Sequence, residues 1–314
     1  MRRGSLEFWP HRRAKRQLPR IRHWPKVDET RFLGLLAIKA GMNHIMLIDD
    51  SNSPSKGTEV FKPVTILEYP KTYVYGIRLY KKDYTYKEPK IEIYSNELIQ
   101  KLKLKLKNKH NLEEIKKNMK DFIDARALLI SNLSSTGSHN KKLYRYEVAV
   151  GGKDISEKIA FIEKWLGKEI KISDIIEEGI YLDAFSISKG KGWQGPIKRY
   201  GVAKQPRKAT NKVRHVGTLG PITPHDVLYT VPQAGHMGYN YRADLNKRVL
   251  MIGNDPNKIN VKGGFTNYGK IKNEFIVLEG SIPGAPKRIV RLRYALRANK
   301  KAINKPKITY IAKV

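Results

Sequence analysis

Hydrophobic positions in this chain recur in short blocks of branched and aromatic residues, separated by runs rich in Lys, Arg, Gly and Pro. Residues 32–49, FLGLLAIKAGMNHIMLID, predict a strand, a turn over Lys39–Asn43 carrying Gly41, and a second strand. After a polar loop at Asn52–Gly57, VTILEY and YVYGIRLY predict two more strands, parted at Pro70–Lys71. LYRYEVAV predicts a strand ending at Gly151–Gly152, and IYLDAFSI another. KRVLMIG, NEFIVLEG and KRIVRLRY predict three later strands, with turns at Gly263–Gly264 and at Pro283, Gly284 and Pro286.

Two stretches read differently. In Ser156–Leu166 the apolar residues Ile155, Ile159, Ile162 and Leu166 recur at helical spacing, with Asp154 or Ser156 as the cap. Ser173–Glu177 predicts a short helical turn. Ser95–Leu133 is rich in Leu, Lys and Glu and free of Pro and Gly, which predicts one or two helices with a break near Asn108–Asn111. Within it KLKLKLK alternates with period two, so a strand there stays open. The pattern gives roughly eight or nine strands with irregular spacing and no internal repeat. The expected fold is mainly β with α insertions: a β-barrel carrying a long basic loop and an extended N-terminal arm. The expected layout is an arm over 1–30 and a barrel domain over 31–314. That domain has helical insertions at about 95–133 and 154–177, a basic finger loop at about 189–242, and a basic segment from about 295.

Charge changes this picture from a β protein to a polyanion-binding one. Over 314 residues, 62 Lys or Arg face 29 Asp or Glu, a formal net charge of +33. Such an excess strains a compact fold by self-repulsion unless a partner neutralises it, and nucleic acid is the first candidate. With 40% hydrophobic residues the chain still has a core to bury. There is no cysteine, which excludes disulfides, thiolate metal sites and cysteine catalysis. No apolar run is long enough to cross a membrane as a helix, and MRRGSLEFWPHRRAKRQ lacks the apolar region of a secretory signal.

The excess is concentrated. No acid lies between Asp183 and Asp226, a gap holding nine Lys or Arg and six Gly with few large aliphatics. Such a segment cannot offset its own ordering entropy by burial, so it needs a polyanion to lie against. The first 26 residues set nine cations against Glu7 alone, with Pro10, Pro19 and Pro25 opposing regular structure and Trp9 and Trp24 interleaved. From Gly280 onward there are ten Lys or Arg and no acid.

Candidate chemistry is sparse. Gly190, Gly192 and Gly195 spell G-x-G-x-x-G after a strand, but Pro196 follows and the next acid is Asp226, so a dinucleotide fold is rejected. The glycines instead let backbone approach phosphates while Lys189, Lys191 and Lys198 supply charge. The eight histidines show no metal-ligand spacing. His225–Asp226 and His236 fit hydrogen-bonding roles better than catalytic ones. Trp193 suits a stacking or loop-anchoring role, with a core position as the alternative. No cofactor, metal or small-molecule substrate is expected.

KGKGWQGPIKRYG, then QPRKATNKVRHVGTLGP, then TVPQAGHMGYNYR, resemble the signature region of the universal large-subunit ribosomal protein L-three family. GSLEFWPHRRAKR resembles the arm of its archaeal and eukaryotic members. FLGLLAIKAGM resembles their first hairpin, and GGFTNYG and GSIPGAPKRIVRLR their closing strands. The resemblance covers nearly the whole chain, Ser95–Leu133 least. It implies a translation-protein-type β-barrel in the cytoplasmic large ribosomal subunit, in contact with neighbouring ribosomal proteins. It also implies two extensions into rRNA, early action in subunit assembly, and a fingertip near the peptidyl transferase centre. On this sequence the implied rRNA-binding residues are Arg2, Arg3, Trp9, Arg12, Arg13, Lys15 and Arg16 on the arm. On the finger they are Lys189, Lys191, Trp193, Gln194, Lys198, Arg199, Lys204, Arg207, Lys208, Lys212, Arg214, His215 and Arg242. The fingertip is Gly220, Pro221, Ile222, Thr223 and Pro224, with Ile222 where many relatives carry tryptophan and Thr210 where eukaryotic relatives can carry a modified histidine. The reading is a non-enzymatic rRNA-binding protein. A nucleic-acid-acting enzyme and a nonspecific compacting protein are the alternatives.

Overall fold

The computed structural model describes residues 4–83, 86–106, 122–138, 140–209, 212–223, 225–298 and 305–312. They belong to two compact units, Met1–Gln17 with Ile187–Arg242, and Leu18–Ser186 with Ala243–Val314. Of the arm expected over 1–30, residues from Leu18 onward therefore belong to the larger unit.

The larger unit is built on two antiparallel sheets. The first contains β1 (Gly34–Ile48) and β2 (Glu59–Glu68). The second contains β3 (Lys71–Asp83), β4 (Tyr86–Tyr94), β5 (Asp124–Asn132), β6 (Leu143–Ala149) and the two-residue β7 (Glu169–Ile170). The first is completed by β8 (Tyr181–Ile187), β11 (Tyr241–Gly253), β12 (Phe275–Glu279), β13 (Ile289–Tyr294) and β14 (Ile308–Ile311). Its order is β13-β8-β11-β12-β2-β1-β14, and β13 also pairs with β1, from Gly34↔Arg293 to Ile38↔Ile289. Six of its strands thus form a closed circuit of hydrogen-bonded neighbours, which leaves none of the six with a wholly unpaired edge.

The expected turn at Lys39–Asn43 is not formed. β1 runs straight through, with a register shift against β2 between Lys39 and Gly41. Such a bulge bends a strand without ending it. Gly41 is there for space: a Cβ on it would lie 2.8 Å from the Phe265 ring. Every residue from Gly34 to Ala40 is buried, so this half of β1 is covered on both faces, as its apolar run over Gly34–Ile38 requires, and Lys39 is accommodated by donating to the Ile282 carbonyl at 2.5 Å.

The second sheet has the order β4-β3-β5-β6, with β7 against β3. Here the sequence reading needs correction. After α1 (Asn96–Lys101) the chain makes no helix over Asp124–Asn132, which is strand β5 between β3 and β6. Ala125, Ala127, Leu128, Leu129 and Ile130 are good or tolerable helix formers, but two flanking strands offer them a buried ladder, and tertiary pairing overrides propensity. The break expected near Asn108–Asn111 lies outside the described residues. The alternation in KLKLKLK is neither helix nor strand in its second half: Leu102, Leu104 and Leu106 pack on Tyr75, Leu98, Leu128 and Ile130 while the lysines between them face out. Fourteen strands are found among the described residues, several being too short or too glycine-rich to stand out in the sequence.

The second helix, α2 (Ile155–Trp165), starts at Asp154 as its N-cap residue and buries Ile159 and Ile162 as its spacing predicts. Phe161 and Trp165 also pack against Phe32, with ring centroids 5.0 and 6.1 Å away, which welds the helix to the entry of β1. The expected turn at Ser173–Glu177 is a 3-10 turn at Ile172–Asp174. One continuous core joins both sheets and α2.

Three buried polar arrangements hold this unit together. Glu68, at the end of β2, is fully buried and takes five donors. Oε1 accepts from the Lys272 and Asn273 amides at 3.0 Å each and from Asn273 Nδ2 at 2.9 Å. Oε2 accepts from the Gly137 amide at 3.1 Å and from the Tyr268 hydroxyl. One carboxylate thereby fastens two loops to one strand. Burial, then the Glu68 charge, push the Tyr268 hydroxyl far above the usual tyrosine range, so it stays a donor.

The second arrangement is on β13. Arg291 and Arg293 are buried on one face of IVRLRY. Arg293 Nη2 donates to Asp183 Oδ2 at 2.7 Å and its Nη1 to the His23 carbonyl. Arg291 donates to the Pro19 carbonyl at 3.1 Å and the Glu147 carbonyl at 2.5 Å. Two of the ten cations counted after Gly280 therefore face inward and clamp residues 19–23. Trp24 belongs to the same seat, with its ring 3.0 Å from where a Gly34 Cβ would stand.

The third is a charge ladder on the second sheet. Glu147 accepts from Arg78 at 2.6 Å, from Tyr80 at 2.6 Å and from Arg126 at 2.9 Å. Burial opposes ionisation of Glu147, but the Tyr80 hydroxyl and the Arg126 and Arg78 guanidiniums outweigh it and hold the carboxyl below its usual range. Asp50 is likewise held low, chiefly by its hydrogen bond from Arg248. A depressed folded pKa gives stability that is present above the unfolded value and lost as pH falls through the folded one. Unfolding temperature is therefore expected to fall more steeply once pH drops below the ordinary glutamate value of 4.5 and again below the ordinary aspartate value of 3.8, beyond the loss that His11 brings below its ordinary 6.5. Calorimetry across that range at fixed salt checks it, and a transition temperature no steeper below pH 4.5 than above it would contradict it.

Candidate nucleic-acid interface

The smaller unit carries the densest charge. Sixteen Lys or Arg and only two acids, Glu7 and Asp226, fall in its two segments. Its regular structure is slight. β9 (Gly190–Gln194) pairs antiparallel with β10 (Gly235–Gly238), and α3 (Pro196–Tyr200) follows β9 directly. The loop expected at about 189–242 therefore leaves and returns through a short ribbon. A ribbon of glycine-rich strands has no branched residues to announce it. Gly238 is required there: its φ is +75°, and a Cβ would lie 2.0 Å from the Lys189 carbonyl oxygen. The G-x-G-x-x-G glycines are placed in and just after β9, and α3, at five residues, has no length for the dinucleotide-binding arrangement.

The first residues of the chain are stitched to this ribbon. The Ala14 amide donates to the Tyr239 carbonyl at 2.8 Å, and Asn240 Nδ2 donates to the Arg12 carbonyl at 3.1 Å. The Arg13 guanidinium lies 5.6 Å from the Tyr239 ring centroid, and Arg242 lies 5.3 Å from that of Phe8. Trp9 stacks on Tyr200 with centroids 6.0 Å apart and meets His11 and Tyr229 edge-on at 4.9 and 5.8 Å. These two stretches share one unit although nearly two hundred residues part them in sequence.

The named cations divide into free and occupied ones. Arg12, Arg13, Lys15, Arg16, Lys189, Lys191, Lys198, Lys204, Arg207, Lys208, Lys212 and Arg214 are all exposed, as is His215. Arg199 is half-buried: its Nε donates to the His236 carbonyl at 3.1 Å and its Nη1 to the Gln233 carbonyl at 3.0 Å. It is a tie across the ribbon before it is a phosphate contact. Gln194 is also turned inward, its Nε2 donating to the Lys191 carbonyl at 2.6 Å. Arg242 is half-buried on Phe8. Trp193 is 68% exposed, meeting only the edge of His236 at 5.4 Å, which excludes the core alternative. At the tip Gly220, Pro221, Ile222 and Thr223 are exposed, Ile222 by 81%. Arg2, Arg3, Thr210 and Pro224 lie outside the described residues.

What the sequence reading missed is aromatic. His11, Tyr200 and Tyr229 gather around Trp9, and Tyr239 receives Arg13. The signal for them in the sequence is the interleaving of aromatic residues with cations, which extends beyond the two tryptophans of the first 26 residues. No group of acids, histidines or cysteines suited to a metal ion occurs among the described residues. His225 and Asp226 are both exposed.

An exposed field of Lys and Arg on irregular backbone can pair with phosphates wherever a folded nucleic acid presents them, and it carries no base-reading code by itself. Comparison with known proteins bears on which nucleic acid. The family model described as Ribosomal protein L3 matches residues 1–313. Large ribosomal subunit protein uL3 of Methanothermobacter thermautotrophicus is 41% identical over 323 residues, covering 99% of this chain and 96% of the relative. The proteins of that name from Methanocaldococcus jannaschii and Methanobrevibacter smithii are 42% and 40% identical, with the same shares covered.

Proposed function

The chain belongs to the ribosomal protein L3 family, and from that premise we propose that it is a structural, non-enzymatic component of the large ribosomal subunit that binds large-subunit rRNA through its smaller unit. The observation that carries the RNA-binding part is the separation of charge: the smaller unit sets sixteen cations against two acids, and most of those cations are exposed and unspent.

The mechanism follows from electrostatics. Each Lys or Arg that meets a phosphate releases condensed counterions, so binding is entropically driven and salt-dependent. Irregular backbone rich in Gly and Pro follows the RNA surface and lets the RNA close around it. Ordering of such a segment is offset by the contacts it makes, which is why it suits early assembly, when the RNA is still folding. The tip, Gly220–Thr223, carries no charge, and near a catalytic centre made of RNA it acts by shape. The subunit is the cytoplasmic one, and neighbouring large-subunit proteins are the further partners. The expected result is that the purified protein, added to cells' own assembling subunits as a tagged copy, co-sediments with the large subunit and stays bound through a moderate salt wash. Release into the soluble fraction at low salt would count against the reading.

A further inference from the structure

We propose that the cleft lined by Trp9, His11, Arg199, Tyr200 and Tyr229 receives a single unstacked nucleobase of the bound RNA. The proposal rests on the RNA-binding reading above and adds a site that charge alone does not predict. All five residues lie in the smaller unit.

The cleft measures about 530 Å³, within the size of small-ligand sites. Three of its walls are π-faces or edges: Trp9 stacked on Tyr200, with Tyr229 edge-on to Trp9. Tyr229 is 69% exposed, an aromatic ring left in water at the mouth of the cleft. A base laid against it would cover that surface, and any base has the π-face to do so. Arg199 adds a guanidinium 5.0 Å from the Tyr200 ring centroid, held in place by its two carbonyl bonds.

Trp9 Nε1 and His11 Nε2 are buried and have no hydrogen-bond partner. Buried polar atoms without partners are rare, because each costs its desolvation. Burial, then the Arg199 and Arg242 charges, lower the His11 pKa, so the imidazole is neutral at neutral pH and keeps one donor and one acceptor. Both atoms are shut off from solvent, so a base in the cleft meets the aromatic rings and not these two nitrogens. A peptide is the less suited occupant. Cations outnumber acids heavily in the surrounding unit, and the polyanion they attract brings bases with it.

The test uses the full chain and a transcript of the 3′ part of its own large-subunit rRNA. Tyr229→Ala removes an exposed ring, so folding is not at stake; Trp9→Ala removes the inner wall, and Trp9→Phe keeps a π-face. Each alanine variant is expected to bind roughly tenfold more weakly, the value of one lost stack, with Trp9→Phe close to the parent. The dependence of affinity on salt stays as it was, because no charge is removed. In chemical probing, one unpaired base protected by the parent protein becomes reactive with Tyr229→Ala. Parent-like affinity of both alanine variants, with no base changing reactivity, would overturn the proposal while leaving the salt-dependent binding intact. A photo-crosslinker placed at Tyr229 that joins protein rather than RNA in assembled subunits would also overturn it. Absence of any salt-dependent binding by the parent would instead remove the RNA-binding reading itself.

Discussion

Replacing Lys198, Lys204, Arg207, Lys208 and Arg214 together with alanine should weaken binding to the rRNA transcript by roughly a hundred- to a thousandfold near physiological salt. All five are exposed, and the unit that carries them has only two acids to pair with. Counterion release gives each phosphate contact a slope of about 0.7–0.9 log units of affinity per log unit of salt, so losing five should flatten the slope by about 3.5–4.5. Affinity and slope must change together. A weaker affinity with the parent slope would mean that the variant is misfolded or that the five cations meet no phosphate. Arg199 is left out of the set on purpose. Its guanidinium holds the Gln233 and His236 carbonyls, so Arg199→Ala would mix a lost charge with a loosened ribbon.

Glu68→Ala should cost about 3–5 kcal/mol of stability, the range for removing one partner from a buried charged network. Five donors on two loops lose their acceptor at once, at a site that is fully buried. The expected signature is a lower urea midpoint with near-native slope, together with faster amide exchange at Gly137, Lys272 and Asn273. Glu68→Gln should fall between, because its carbonyl oxygen can still serve the donors on one side while its amide meets the others head-on. A Glu68→Ala protein within about 1 kcal/mol of the parent would show that the loops find other acceptors, contrary to this account.

The sequence revealed the strands of the first sheet well, because β-branched blocks bounded by Gly and Pro leave little choice. Where it misled, the cause was a residue with two physical uses. Gly41 reads as a turn and is instead the gap into which Phe265 fits. Ala125–Ile130 reads as helix because its residues tolerate either state, and only the neighbours β3 and β6 decide. Trp24 reads with Trp9 as part of one arm, yet Trp24 packs beside Gly34 in the larger unit and Trp9 stacks on Tyr200 in the smaller one. The charge of the candidate site was visible as a count, but a count does not show direction. Arg199 shares a basic stretch with Lys208 and Arg214, and Arg291 and Arg293 lie in the one after Gly280, yet all three arginines spend their donors on carbonyls or on Asp183. The aromatic cleft needed the structure, since His11 and Tyr229 are 218 positions apart.

The clamp of Arg291 and Arg293 on residues 19–23 also sets an order of events during synthesis. Residues 19–23 are held by side chains that leave the ribosome some 270 residues later. β13 is also the strand that pairs with β1 to join the two ends of the sheet. Until it emerges, residues 19–23 lack the donors that clamp them and β1 has no paired strand over Gly34–Ala37. A chain stopped short of residue 289 would therefore leave the Pro19 and His23 carbonyls without their guanidinium partners and Gly34–Ala37 without a paired strand.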